Sequence, residues 1–405
     1  LSGVRVVSFT QAEGIPAQTI NRVFEDKQRR IYASFDSGAA VEIVGSSAKP
    51  IVPSSRLGNF KVLRVVQDRR SDWWVGTDSG LFRFTGPGLQ LSRGRKFIQS
   101  DGIAEGRISA IFEDSAGVIW VMASEDSVGH QGLYRSDPAR TQRIHFERVI
   151  SEQLSPSFGI ISDASGALWL PGFDDLARLS GGKLKHFQTT TGLPEIQPRS
   201  IFVDSRGWLW LGLRNSGLSV TKDPTAENPQ WTNYSTENGL ASDTVWSVTE
   251  GSEGLIYLAT GRGLDQLDPA TGRVHHFTTA DGLVSESVRY CMKDSEENIW
   301  VATAGGLSKL DPRSLPEVQP PPIYFRHLQA AGDDLPLPET GLHHVPLMEL
   351  ASYKNNLAIE YVAPNFQGEH ALKYQYKLQP VDVDWSAPSE ARSVNYARLA
   401  PGSYV

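Results

Sequence analysis

The side chains best placed to do chemistry in this sequence are those that recur. Seven segments can be aligned on one aromatic. In six of them an aspartate stands six residues earlier, at Asp26, Asp68, Asp114, Asp163, Asp204 and Asp294; the other has Gly251 there, beside Glu250. Three residues before the aromatic, four segments carry Gly117, Gly166, Gly207 and Gly254. Repeated Asp-x-x-Gly raises the question of calcium. A calcium loop needs six or more oxygens from closely spaced ligands, and each segment offers one carboxylate. The pattern reads instead as a hairpin turn, capped by Asp and closed by a Gly at positive φ. The nine histidines are scattered, and His275-His276 and His343-His344 are adjacent pairs. Strand neighbours point to opposite faces, so neither pair makes a chelate. The single cysteine, Cys291, forms no internal disulfide and reads as a small packed strand residue between Tyr290 and Met292. Walker loops and nucleophile elbows do not occur. No catalytic residue, metal or cofactor is expected.

Stepping outward to the elements, the aligned aromatics are Tyr32, Trp74, Trp120, Trp169, Trp210, Tyr257 and Trp300, 41 to 49 residues apart. That period suits one four-stranded propeller blade, the aromatics packing between blades. A second turn follows each aromatic strand and in five repeats ends in Gly-Leu: Gly80-Leu81, Gly132-Leu133, Gly217-Leu218, Gly263-Leu264 and Gly306-Leu307. The stretch from Arg5 to Ile15 aligns without gaps with Arg273 to Leu283, the end of one blade running into the next. The N-terminal strand is therefore expected to complete the last blade and close the ring, which protects edges an open stack would expose. Trp73, Trp208 and Trp231 read as covers for strand edges.

The period stops at Pro316. Residues 316–322 form a stiff Pro-rich linker, about which ligand binding is expected to change the angle between the domains. Beyond it, Ile323–Leu328, Leu357–Val362 and Leu372–Leu378 alternate apolar with polar residues, as half-buried strands do. The expected fold is all-β: a seven-bladed β-propeller over 1–315 followed by an immunoglobulin-like β-sandwich over 323–405. Such sandwiches usually need about 100 residues, so the natural protein is expected to continue past Val405.

Propeller ligands usually bind at one face, where each first strand begins and where the loop after the aromatic strand returns. Eleven residues before the aromatic the repeat is irregular: Asn21, Leu63, Ser109, Phe158, Arg199, Trp246 and Arg289. The facing loops add Asp36, Asp78, Asp174, Arg214, Asn215 and Arg262. A structural position would tend to be uniform around the ring; a ligand position would not. The candidate set is Asn21, Phe158, Arg199, Arg214, Trp246, Arg262 and Arg289. Arginines beside a tryptophan, with amides and carboxylates, suit a sugar or an anionic oligosaccharide, by stacking and forked hydrogen bonds. The bland alternative is a variable solvated loop surface. The rival function classes are a protein-binding scaffold and a metal-dependent propeller lyase.

Charge narrows the partners. The chain has 39 basic and 46 acidic residues, a net charge of −7, and no basic run. Nucleic acid is not expected. No stretch reaches the roughly 18 apolar residues that span a membrane, and any export signal ahead of Leu1 is expected to have been removed or left out.

The repeats resemble the two-component regulator propeller family. The motifs that carry the resemblance are Gly192-Leu-Pro194, Asp204-Ser-Arg-Gly-Trp-Leu-Trp-Leu-Gly212, Gly217-Leu218, Trp74-Val-Gly-Thr77 and Asn298-Ile-Trp-Val-Ala-Thr303. The first repeat departs most, with Tyr32 in place of Trp. The tail resembles that family's companion three-tyrosine domain through Tyr374-Gln-Tyr-Lys-Leu378, Asp382-Val-Asp-Trp385, Tyr396 and Leu399–Tyr404; Gln379-Pro380 departs from its pattern. The resemblance covers nearly the whole chain. It implies a periplasmic sensor of a saccharide or other small molecule, with a transmembrane helix and a cytoplasmic histidine kinase or diguanylate cyclase beyond these residues. It also implies a homodimer through the sandwich.

Overall fold

The computed structural model describes residues 6–405 except 36, 38, 53–60, 87–93, 127–129, 138–143, 151, 153, 156–158, 174, 188–191, 195–196, 315–321, 365–373 and 388. Phe158, Asp36, Asp174 and all of the Pro-rich linker but Pro322 lie outside the described residues. The chain divides into two compact units, Leu1–Pro316 and Glu317–Val405.

Among the described residues the first unit forms seven four-stranded antiparallel sheets. Sheets I to VI occupy 20–52, 62–96, 108–148, 161–187, 198–234 and 245–277, their strands pairing in chain order. Sheet VII takes three strands from 288–310, and its fourth is Val6–Phe9, which pairs antiparallel with Leu307–Leu310. Sheet V shows why the sequence folds this way. Its second strand, Leu209–Leu213, is buried throughout, as suits a strand covered on both faces. The outermost, Thr232–Tyr234, is mostly exposed. Between the first two strands, Gly207 takes φ 83°, a conformation that costs a side-chain-bearing residue roughly 1–2 kcal/mol.

Each sheet shares an apolar cluster with the next. Tyr32 of sheet I packs with Trp73 and Phe84 of sheet II; Trp74 and Phe97 with Ile108 and Val121 of sheet III; Met122 and Leu133 with Leu168 and Leu170 of sheet IV. Trp169 and Phe187 pack with Leu209 and Leu211 of sheet V; Trp210 with Val245 and Leu258 of sheet VI; Tyr257 and Phe277 with Val288 and Val301 of sheet VII. Trp300 and Phe9 return to Ile20 and Phe35 of sheet I. The packing is a closed, propeller-like cycle. Trp73 belongs to this interior: it is 1% exposed and meets Phe24 and Tyr32 edge-on, so it does not cover an edge as expected. Trp231 meets Trp169 edge-on, and Trp208 lies under Arg206 and Lys222.

The second unit has one four-stranded sheet, with Tyr324–Ala330 beside Leu357–Val362, and Asp333–Asp334 and Ser393–Tyr396 at the edges. Its core is aromatic: Tyr361 and Tyr374 lie 5.2 Å apart, Tyr376 and Tyr396 6.2 Å apart. Of the expected strand over Leu372–Leu378, the described part forms a single bridge, Tyr374 to Ser389. The Tyr376 amide then turns to the Ser386 hydroxyl. Among the described residues a second full sheet is not formed.

Candidate functional site

The recurring aspartates are structural. In sheet V one carboxylate oxygen of Asp204 accepts the amides of Arg206 and Trp208 at 3.0 and 2.9 Å, closing the turn. The other accepts the Trp210 indole N–H at 2.9 Å. Asp68, Asp114, Asp163 and Asp294 do the same for Trp74, Trp120, Trp169 and Trp300, and Asp26 accepts from the Tyr32 hydroxyl at 3.1 Å. Where Gly251 replaces Asp, the Tyr257 hydroxyl accepts instead from the Gln266 amide, and burial pushes its pKa up to about 12. Turn capping was legible in the sequence; the bond to the aromatic was not. Cys291 is buried, and burial raises its thiol to about 12, which leaves it the inert thiol of a packed residue.

In five of the sheets, II, III, V, VI and VII, the start of the first strand meets the loop after the aromatic strand. The amides of Asp78, Ser124, Arg214, Gly261 and Ala304 donate to the carbonyls of Lys61, Arg107, Gln197, Thr244 and Ser287. Just beyond, the strand register slips. The break falls between Ile20 and Arg22, Val62 and Arg64, Ile108 and Ala110, Pro198 and Ser200, Val245 and Ser247, and Val288 and Tyr290. In each case the skipped residue is the candidate position: Asn21, Leu63, Ser109, Arg199, Trp246 or Arg289. A bulge re-aims a side chain and recurs next to active and binding sites, so the irregular position is also the distorted one.

Three of the candidates converge. The Arg289 guanidinium lies 4.6 Å from the centre of the Trp246 ring, and that of Arg199 lies 5.8 Å from it. Arg199 also lies 5.6 Å from the Phe173 ring, which is 42% exposed. The row Phe173, Arg199, Trp246, Arg289 crosses four consecutive sheets, IV to VII. Burial, and then the like charge of Arg214, lower the Arg199 pKa from its usual value. Cation–π contacts of this kind contribute about 0.5–2 kcal/mol each, most when desolvated. They also hold planar guanidinium groups ready for forked hydrogen bonds. Arg262 and Asn215 are exposed in their loops, and neither they nor Asn21 take part in the ring contacts that define the row. Phe173 was missed because only polar residues were sought in these loops; it occupies the loop position of Arg214, four after the aromatic.

Arg22 and Tyr290, next to the bulge, were also missed. The Arg22 guanidinium lies 5.1 Å from the Tyr290 ring centre. Arg64 holds the same position in sheet II. Burial first, then Arg22 and Arg107, push its guanidinium well below its ordinary pKa, with Tyr290 acting the other way.

Neither a family model nor a curated protein matches the chain. Solved structures do. The extracellular domain assigned to the hybrid two-component system BT3049 of B. thetaiotaomicron is 18% identical over 99% of this chain and 54% of that one, with a TM-score of 0.65. The corresponding domain of BT4673 from the same organism is 17% identical over 99% and 55%, with a TM-score of 0.59. A streptogramin B lyase is 13% identical over 76% of this chain and 98% of its own, with a TM-score of 0.58. The chain thus spans about half the length of the two sensor domains. At such identities the likeness establishes the fold, an all-β, propeller-like architecture. Among the described residues no helix is long and apolar enough to cross a membrane.

Proposed function

We propose that this chain is the extracytoplasmic ligand-sensing region of a two-component signal-transduction receptor. It is a seven-bladed β-propeller followed along the chain by a three-tyrosine, immunoglobulin-like sandwich. It binds a saccharide or other small molecule and relays that event to a kinase or cyclase domain outside these residues. The reading draws on the sensor domains of similar fold, whose likeness takes in both units, whereas the lyase likeness takes in 76% of the chain.

One observation carries the binding part: Trp246 lies between Arg199 and Arg289, at the bulges of three adjacent sheets. An aromatic face flanked by guanidinium groups suits a sugar ring bearing hydroxyls or a carboxylate. The test is a thermal-shift screen of the whole chain against neutral and acidic oligosaccharides. A ligand at about 100 times its dissociation constant stabilises by about 2.7 kcal/mol. The shift should vanish in Trp246→Ala and Arg289→Ala. A saccharide shift that survives both substitutions would move the site elsewhere; no saccharide shift would favour a protein partner.

A further inference from the structure

We infer that the junction between sheets III and IV is a conformational seam. It is the junction of the ring that opens first, and it divides the arc that carries the row from Phe173 to Arg289 from the arc of sheets I to III. One polar latch recurs between neighbouring turns. The residue five before the aromatic gives its backbone amide to the side chain seven before the aromatic in the next sheet. Lys27 donates to the Gln67 side-chain oxygen at 2.8 Å, Arg69 to Glu113 at 2.9 Å, Ser205 to Glu250 at 2.8 Å and Ser295 to Glu25 at 2.7 Å. Between sheets VI and VII the acceptor position is Lys293, and the Ser252 hydroxyl donates to Glu297 at 3.0 Å instead. Sheet IV interrupts the series on both sides. Its own acceptor position holds Ser162, too short to reach across as a glutamate does, and the acceptor position facing it from sheet V holds Val203, which has no polar side-chain atom. Toward sheet V other bonds take over: Arg178 donates to the Thr225 carbonyl at 3.2 Å, and Lys185 to the Glu227 carbonyl and to the Asn228 side chain. Among the described residues, the polar ties toward sheet III run through the connecting segment, where Leu154 pairs with Gln131 and Glu152 meets His186 at 3.2 Å.

Burial marks the same junction. Six of the seven aligned aromatics are at most 3% exposed, and five of the six turn aspartates at most 5%. The exceptions, Trp120 and Asp114, are bonded to one another in sheet III and are half-buried. Trp120 packs on the cluster shared with sheet IV, so water reaches at this junction the aromatic and carboxylate that the others seal. In a repeat array each unit contributes its own stability and a term with each neighbour. Every junction has an apolar cluster; the one that lacks a charge-assisted bond and is partly wet separates at least cost. The far end of the row's arc, between sheets VII and I, is held by Glu25 and by Phe9, which packs with Ile20 and Phe35. Opening between sheets III and IV therefore frees one end of that arc while the other stays clamped. This follows whether or not the row binds a saccharide.

The test is thiol labelling of the native whole chain, with each site resolved by peptide mass spectrometry. Ala110→Cys places a thiol in the cluster between sheets III and IV, and Ala123→Cys one in the cluster between sheets II and III, both at buried alanines. Cys291 already reports on the cluster between sheets VI and VII. The Ala110→Cys thiol should label about tenfold faster or more than the other two, the factor that one hydrogen bond to a charged group supplies. Adding Ser162→Glu, which offers Ser115 the latch that Glu250 gives Ser205, should slow it. If Ala110→Cys does not fold, Ala177→Cys reports on the same cluster from sheet IV. Equal rates at the three sites, or a fast rate that Ser162→Glu leaves unchanged, overturn the inference. No ligand enters the experiment, so its failure leaves the saccharide reading standing, and loss of the saccharide response leaves the seam.

Discussion

The Trp210 indole N–H donates to the carboxylate of Asp204, whose other oxygen holds the turn that carries the chain toward Trp210. One side chain thus fixes both a hairpin and the largest apolar residue of the adjoining strand. Asp204→Ala should cost about 2–4 kcal/mol, because a buried N–H loses a charged acceptor worth roughly 1.5–3 kcal/mol and the turn amides lose theirs. Adding Trp210→Phe removes the stranded donor, so the double variant should be less damaged than the sum of the two singles. Guanidinium titrations of the four proteins measure that coupling; strict additivity would contradict the bond.

The residue three before the aromatic has positive φ in every repeat, whether or not it is glycine. Arg29, Ser71 and Glu297 adopt φ 62°, 67° and 70°, against 83° at Gly207. A left-handed non-glycine costs roughly 1–2 kcal/mol, and glycine's extra unfolded-state entropy gives back about half of that. Ser71→Gly should therefore raise stability by a few tenths to about 1 kcal/mol, the balance of those two terms. Nothing lies within 4 Å of a methyl built on Gly207, so Gly207→Ala isolates the backbone term and should lower stability. Paired denaturation midpoints check both signs.

His276 donates from Nδ1 to the buried carboxylate of Asp265 at 2.7 Å, and the second Asp265 oxygen accepts the Ala241 amide. That bond outweighs the effect of burial and raises the His276 pKa above its ordinary value. A raised folded-state pKa stabilises fully below the unfolded value of about 6.5, and the gain is lost as pH rises through the folded one. The melting-temperature difference between wild type and His276→Gln should be larger at about pH 5.5 than at about pH 8.5. A difference independent of pH would mean that the imidazole acts through packing alone.

How much of this could be read from the sequence depends on which interaction sets each feature. The period and sheet boundaries repeat seven times and the Asp-capped turns six, and all are local, so they stand out. The bulge is not local: it comes from how the first strand meets the second, and no residue type marks it. Strand alternation would send Arg199 and Ser200 to opposite faces, so the irregular position was found and its neighbour, with Arg22, Arg64 and Tyr290, was passed over. The same irregularity test applied one residue later would have found them. Phe173 was hidden by its chemistry, an aromatic in a loop searched for charges. In the second unit, alternation over Leu372–Leu378 suggested a strand, but pairing depends on the partner segment, where the Tyr376 amide goes to the Ser386 hydroxyl in place of a ladder carbonyl.

Closure of the ring is the most exposed to test. Phe9 stacks on Trp300 at 5.7 Å and is 2% exposed, while Val6–Phe9 pairs with Leu307–Leu310. A second latch joins sheet VII to sheet I: the Glu25 carboxylate accepts the Ser295 amide at 2.7 Å and its hydroxyl at 2.6 Å. Both contacts span the sequence distance of the whole ring, so each closes a very long loop. Phe9→Ala should cost about 3–5 kcal/mol, as for other buried aromatics. Glu25→Gln, at a half-buried site open to solvent, should cost no more than about 1 kcal/mol. If the N-terminal strand holds the cycle shut, amide exchange in Phe9→Ala should accelerate along Leu307–Leu310 and Ile20–Glu25 together, because both edges are released by one opening. Acceleration confined to Leu307–Leu310 would show that the ring stays closed without the strand.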